Sequence, residues 1–429
     1  MSEPGRATDD HVDAEVSSFF DPSVLDDPFD TYAAMHEQCP VHRLPENGLY
    51  MIAGYEDVRE ALTDPATFSS RGASHNARGA EALATMGAII AERGWLMPPV
   101  LQSADPPDHT EHRKLLGRVF TPKRVAALTP RIDELTNDLL DRVIEQGTME
   151  FVTDFAIPLP GIFICEQYGL PASEYPTFRR WAEATIAPVQ RELTVDEARE
   201  VAETVVESQH HLAAEFERRR VEPTDDLISA LVHSHDDPDD PADPFTVEEL
   251  QGLMAQLVAG GFETTTAALT TGMWLLLRYP DQMEKLRADR SLMRNFIEES
   301  LRFDSPVAGL WRTTTCSVTM AGTDIPAGSM VMPRYAAANR DPSVFDEPDV
   351  FDIERPNASA HLAFGQGPHY CIGAALARAE LTSAFTAILD RMDDIRLAVP
   401  LDDEPHEFSF FLRPFKRMQL AFTTVAAVG

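Results

Sequence analysis

The run of roughly eighteen apolar residues that a membrane-spanning helix requires occurs nowhere in this 429-residue chain. Internal repeats are missing too, which removes solenoids and propellers from consideration. Cysteine is scarce: Cys39, Cys165, Cys316 and Cys371 lie far apart, which excludes a disulfide framework and makes a reducing cytoplasm the expected location. Basic residues are few. With 36 Lys and Arg against 70 Asp and Glu, the formal net charge is −34, and a surface of that sign repels nucleic acid and anionic lipid. Met1 to Val16 lacks the basic and apolar segments of a signal peptide. It reads as a loose acidic tail, leaving residues 17–429 as one large domain.

What is present is a stretch around which the rest can be ordered, Phe364-Gly365-Gln366-Gly367-Pro368-His369-Tyr370-Cys371-Ile372-Gly373. Cys371 follows a loop with glycines at two-residue spacing and precedes the apolar stretch Ile372 to Leu389. At a helix N-terminus, backbone N–H groups and the helix dipole stabilise a thiolate and lower the thiol pKa. Gly365, Gly367 and Gly373 let the main chain pass close to a large flat ligand. Most single cysteines are small buried hydrophobes. Zinc needs further ligands, and His369 is too close to serve easily as one; nucleophilic catalysis needs a base held against the sulfur. An axial ligand to haem iron needs only one thiolate.

Phe364 to Gly373 resembles the haem-binding signature of the cytochrome P450 superfamily, Phe-Gly-x-Gly-x-His-x-Cys-x-Gly, at every specified position. His361-Leu362-Ala363 resembles the lead-in of its soluble bacterial members. The resemblance implies a mainly α fold with a smaller β region near the N-terminal side. One haem b is expected between a long central helix and the helix after Cys371, with Cys371 on the iron and Phe364 and Gly365 beside it. The implied activity is insertion of one oxygen atom of O2 into a hydrophobic small molecule, by hydroxylation, epoxidation or demethylation. No flavin or iron–sulfur segment is appended, so electrons are expected from a separate ferredoxin or flavodoxin with its NAD(P)H reductase, delivered to a monomer. A non-catalytic haem-thiolate sensor or electron carrier, or a peroxide-using relative, are the alternatives; the acid–alcohol pair described next argues against them.

Thr246 to Arg278 is long and mostly apolar and reads as one helix through the core. Its middle, Ala259-Gly260-Gly261-Phe262-Glu263-Thr264-Thr265, holds two adjacent glycines that cost about 1 kcal/mol each relative to alanine. They serve either a packing bend or an opening for dioxygen and water. The stretch resembles the family's Ala/Gly-Gly-x-Asp/Glu-Thr motif, making Glu263 the proton-relaying acid and Thr264 the alcohol that positions a water. Asp105 to Lys114 opens a helix behind prolines, on which His109 and Arg113 share a face. By resemblance both meet haem propionates, as do Arg312 and His369, while Glu299, Arg302 and Arg355 form a structural cluster that fixes the segment delivering the cysteine loop.

Between Phe68 and Asp105 the pattern is irregular and too long for a connector. By resemblance it caps the substrate pocket, which makes Trp95, Leu96 and Met97 contact candidates; ordinary lid packing explains them equally. Ala259, Gly260, Ala308, Gly309, Leu310, Phe411 and Leu412 are further pocket candidates. Gln256 is either a polar handle for substrate or a buried amide satisfied by protein. Further helices are expected over residues 30–37, 55–62, 132–144, 150–169, 174–186, 195–220 and 295–303, with a roof loop near 187–194 and a solvated loop over 233–244. Strands are expected over 48–53, 317–320, 323–325, 330–333, 396–399 and 408–422. Arg113, Lys114, Arg118, Lys123 and Arg124, with Arg378, form a basic cluster on which an acidic redox partner can dock.

Overall fold

The computed structural model describes residues 22–45, 47–72, 79–234, 245–402, 405–407 and 409–425. The expected acidic tail and most of the solvated loop over 233–244 lie outside the described residues. Helices α1 (Pro22–Asp26), α2 (Phe29–Gln38), α3 (Tyr55–Thr63), α4 (Ala80–Arg93), α5 (Asp108–Val119) and α6 (Pro122–Asp141) come first. Then follow α7 (Pro158–Gln167), α8 (Tyr175–Gln190), α9 (Val195–Val221), α10 (Leu227–Val232), α11 (Val247–Gly261) and α12 (Glu263–Arg278). The last are α13 (Pro280–Ala288), α14 (Met293–Phe303), α15 (Tyr335–Ala338) and α16 (Ala374–Arg391).

Helix starts fall where side chains can satisfy the free N–H groups of a first turn. At α9 the Thr194 hydroxyl accepts from Glu197 N at 3.3 Å and the Glu197 carboxylate accepts from Thr194 N at 2.8 Å. Thr246 and Glu249 repeat the arrangement at α11, at 3.2 and 2.8 Å. Every residue of α12 from Thr265 to Met273 is buried. This helix packs in an apolar cluster with Leu139 of α6, Phe296 of α14 and Phe385 of α16, each such side chain contributing roughly 1.5–3 kcal/mol on burial. A second cluster, around Phe178, Phe216, Leu253 and Phe262, joins α8, α9 and α11.

Strands β1 (Val41–Arg43), β2 (Tyr50–Ile52), β3 (Phe68–Ser69), β4 (Thr148–Glu150), β5 (Arg312–Thr314), β6 (Val318–Met320), β7 (Thr323–Ile325), β8 (Met330–Pro333), β9 (Met392–Leu397) and β10 (Gln419–Thr424) make three sheets. The largest has the order β1-β2-β8-β5-β3. It is antiparallel except where β2 and β8 run parallel, with Tyr50 opposite Val331, so the N-terminal strands are completed by a segment far down the chain. β4-β10-β9 and the hairpin β6-β7 are the others.

Four expectations need correction. The single helix over Thr246 to Arg278 is two, because the chain breaks at Phe262 (φ −89°, ψ −69°) immediately after the glycine pair. Threonine hydroxyls bond to carbonyls around the break: Thr264 Oγ1 donates to Gly260 O at 2.5 Å and Thr266 Oγ1 to Phe262 O at 3.1 Å. The irregular stretch over residues 68–105 contains α4, whose Ile90 is buried against Val205 and Val206 of α9; tertiary packing supplies what its composition does not announce. α8 continues to Gln190 through Pro188, which shortens the expected roof loop to Arg191–Thr194. The long C-terminal strand is two isolated bridges, Val307 with Leu412 and His406 with Phe415, followed by β10. Pro414 interrupts it, since proline donates nothing to a ladder; Phe408 lies outside the described residues.

Candidate active site

The cysteine loop is shaped by left-handed turns at Gly365 (φ +67°) and Gly367 (φ +69°). A Cβ on Gly367 would meet Leu62 O at 2.6 Å, so only glycine fits there. Phe364 O accepts from Cys371 N at 2.8 Å, and α16 begins three residues beyond the cysteine. Burial pushes the Cys371 thiol up, and this outweighs the Gly373 and Ala374 N–H groups and the charges of Arg113 and Arg378 that favour the thiolate. The net lowering expected from the helix N-terminus is therefore corrected. A metal cation bound at the sulfur would take the proton's place and favour the thiolate.

Cys371 opens on a cavity with about 1450 Å³ of empty space including its mouth, also lined by Gly260, Gly261 and Thr264 at the α11–α12 break. Most of the wall is apolar, from Leu62, Leu101, Phe120, Ile164, Leu257, Val307 and Leu310. Four basic side chains, His109, Arg113, Arg312 and His369, face the same space. The two imidazoles lie 3.9 Å apart between ring centroids, and the buried Nε2 of His109 has no hydrogen-bond partner. Burial, then Arg113, holds His109 down at about 4. Burial, then Arg312, His109 and Arg113, holds His369 down at about 3. Imidazoles held neutral by burial and by neighbouring guanidinium charges are stabilised in their charged form by a bound anion. One sulfur, two arginines and two imidazoles around an apolar slot floored by glycines form a donor set that fits an iron porphyrin bearing two carboxylates.

Glu263 is half-buried and does not line the cavity, whereas Thr264 and Thr265 do. Glu299, Arg302 and Arg355 meet in the core: Arg302 donates to Glu299 at 2.7 and 2.8 Å, and Arg355 Nε donates to Glu299 Oε1 at 3.0 Å. Of the expected pocket residues, Gln256, Gly260 and Leu310 line the cavity. The Gln256 amide, however, is occupied: its nitrogen donates to Val100 O at 2.7 Å and Ser103 Oγ at 3.1 Å, and its oxygen accepts from Gln102 N at 2.8 Å. It fixes the turn that carries Leu101 over the cavity rather than offering a handle.

The remaining pocket candidates are elsewhere. Trp95 is held by Gln209 through its backbone N–H and carbonyl, both at 2.9 Å, and its ring packs on His210. Leu96 is 59% exposed, and Met97 borders a separate small cavity between α8, α9 and α11. Ala259 sits off the face shared by Leu257, Gly260, Gly261 and Thr264. Ala308 donates its N–H to Phe411 O at 2.7 Å and is buried with Met332. The Gly309 backbone is pressed on β8, where a Cβ would meet Pro333 O at 2.5 Å. Phe411 packs against that same cluster, and Leu412 is buried by its bridge to Val307.

The basic cluster is less free than its sequence suggests. Arg113 turns into the cavity, Lys114 lies 3.7 Å from Glu111, Arg124 pairs with Asp225 at 2.9 Å, and Arg378 is bound by Glu298. Sequence reasoning missed Glu380, which lines the cavity nine residues after Cys371 with a hydrogen bond to Thr265. Burial pushes its carboxyl up to about 8. An acid one turn from Leu376, on the inner face of an otherwise apolar helix stretch, was the available signal.

Fold and site together define a haem-thiolate protein. The Cytochrome P450 family model matches residues 175–422. Cytochrome P450 107B1 of Saccharopolyspora erythraea is 37% identical, over 93% of this chain and 96% of its own. The 6-deoxyerythronolide B hydroxylase of the same organism is 34% identical, over 89% and 93%. Among solved structures, cytochrome P450 CYP109Q5 from Chondromyces apiculatus superposes with a TM-score of 0.82 at 32% identity, covering 95% of this chain and 98% of that one. The chain belongs to the cytochrome P450 family: it is a haem-thiolate monooxygenase whose cofactor is haem b. No described helix is long and apolar enough to cross a membrane.

Proposed function

We propose that this monooxygenase hydroxylates a hydrophobic small molecule held over haem between the α11–α12 break and the cysteine loop. Cys371 is the sulfur ligand of the iron. His109, Arg113, Arg312 and His369 hold the propionates, the arginines through their planar forks. Phe364 and Gly365 line the approach to the sulfur. Bound haem supplies dioxygen activation, using electrons delivered from outside. Thr264 turns its hydroxyl from Gly260 O toward a water in the cavity and orients it, and Glu263, half-buried at the start of α12, exchanges protons with solvent. Glu299, Arg302 and Arg355 are structural, bracing the segment that leads into the cysteine loop.

The single observation that carries this reading is that, among the described residues, Cys371 brings the one sulfur on the cavity wall and shares it with Thr264 and with four convergent basic side chains. The mostly apolar wall supports a hydrophobic substrate, and a relative named as a 6-deoxyerythronolide B hydroxylase supports hydroxylation. Electrons come from a ferredoxin or flavodoxin with its NAD(P)H reductase, the protein works as a cytoplasmic monomer, and residues 17–429 make one catalytic domain. The test is a screen of hydrophobic compounds for displacement of iron-bound water, followed by NADH-driven turnover with surrogate partners. Product carrying one oxygen atom from O2 supports the proposal; turnover only with added peroxide sinks it.

A further inference from the structure

Glu298 is a buried carboxylate that the Glu299–Arg302–Arg355 cluster does not use. One of its oxygens accepts from Arg378 Nε at 2.6 Å. The other accepts from Arg378 Nη2 at 2.8 Å and faces His361 Nε2 at 3.1 Å. Burial would raise this carboxyl, but Arg378 and His361 outweigh burial and hold it at about 2, so Glu298 is an anion. It braces both flanks of the cysteine loop. On one flank His361 Nδ1 accepts from Ala363 N at 3.1 Å. On the other, the Arg378 guanidinium lies 4.4 Å from the centre of the Phe364 ring, and Phe364 O is the acceptor of the Cys371 N–H. Arg378, like Arg113, is a cation whose charge reaches the Cys371 sulfur.

We propose that Glu298 is a positioning residue that sets the reduction potential of the haem, by fixing Arg378 over Phe364 and cancelling most of that cation's field at the sulfur. A positive charge beside a metal centre favours its reduced state, and inside a protein the effect is weakly screened. A bidentate carboxylate–guanidinium pair is a compact dipole with a small field at the sulfur. Without the carboxylate, the guanidinium acts as a bare charge. The docking role that the sequence offered to Arg378 is replaced by an electrostatic one. The inference rests on thiolate-ligated haem.

The test is a spectroelectrochemical titration of the purified holoprotein, with the reduced carbon monoxide spectrum recorded for each variant. Glu298→Gln should shift the midpoint potential in the positive direction, Arg378→Gln should shift it in the negative direction, and the double variant should return close to the parent. Retention of the long-wavelength Soret band shows that thiolate ligation survives; its absence in the parent protein would instead overturn the haem-thiolate reading. With the band intact, an unchanged potential in Glu298→Gln refutes the proposal. Equal positive shifts in the single and double variants refute it too, since a loosened loop alone predicts them. If Glu298→Gln does not retain haem, Arg378→Gln decides: a positive or absent shift is fatal.

Discussion

Thr264 and Glu380 are the residues whose chemistry depends most on their surroundings. The Thr264 hydroxyl is committed to Gly260 O, and its replacement by alanine removes a donor without disturbing the wall. Thr264→Ala should keep oxidising NADH while product per NADH falls by about one to two orders of magnitude, the difference appearing as peroxide. Quantifying product, NADH and peroxide in one assay checks this. Glu380 has its carboxyl raised from 4.5 to about 8 by burial. In the pH range between those values the folded protein binds a proton that the unfolded chain has released, so stability is full at the acidic end and is lost as pH rises through the folded value. The unfolding free energy from denaturant titrations at pH 5 to 8 should fall for the parent, by an amount on the order of several kcal/mol in total. Glu380→Gln should flatten that slope.

The elements make their own demands. Gly260 has open space around its Cβ position, whereas Gly367 does not. Gly260→Ala should stabilise α11 by up to about 1 kcal/mol while projecting a methyl group into the cavity, read as a higher thermal midpoint with weaker substrate-induced spectral shifts. Gly367→Ala meets both a backbone clash and a left-handed φ, and should lose haem on purification, read from the ratio of haem to protein absorbance. Gln256→Leu frees the turn over residues 100–103 from its three hydrogen bonds. KM should rise more than kcat falls, because the turn encloses substrate and does not touch the reacting atoms.

Across the whole molecule the charge of −34 opposes approach of an acidic partner, so docking of the proposed ferredoxin or flavodoxin would fall to a small basic area. Lys114, exposed beside Glu111, lies on α5, the helix that also carries Arg113. Lys114→Glu should slow reduction by ferredoxin several-fold at low salt and weaken its salt dependence, as long-range charge effects are screened within about 10 Å at 0.1 M. Stopped-flow reduction at two ionic strengths measures both.

The cysteine loop, the glycine pair with Thr264, the Glu299–Arg302–Arg355 cluster and the boundaries of α9 were readable from the chain alone. All but Arg355 are written in short local stretches, since backbone turns, caps and helix periodicity are local properties; Arg355 is placed with Glu299 by the family resemblance. The class of fold, and the sulfur ligand proposed for the haem, follow from those segments. Only the tertiary structure decided which side chains share a cavity. Leu62 of α3, Phe120 at the bend after α5 and Ile164 of α7 enter it with no common spacing, while Ala308, Gly309 and Leu412 are turned aside by packing on β8 and a bridge. The ionisation of Glu380 and the pairing of Arg378 with Glu298 were equally beyond the sequence, because burial and a partner distant in the chain set the state of a charge, and neither exists until the helices have packed.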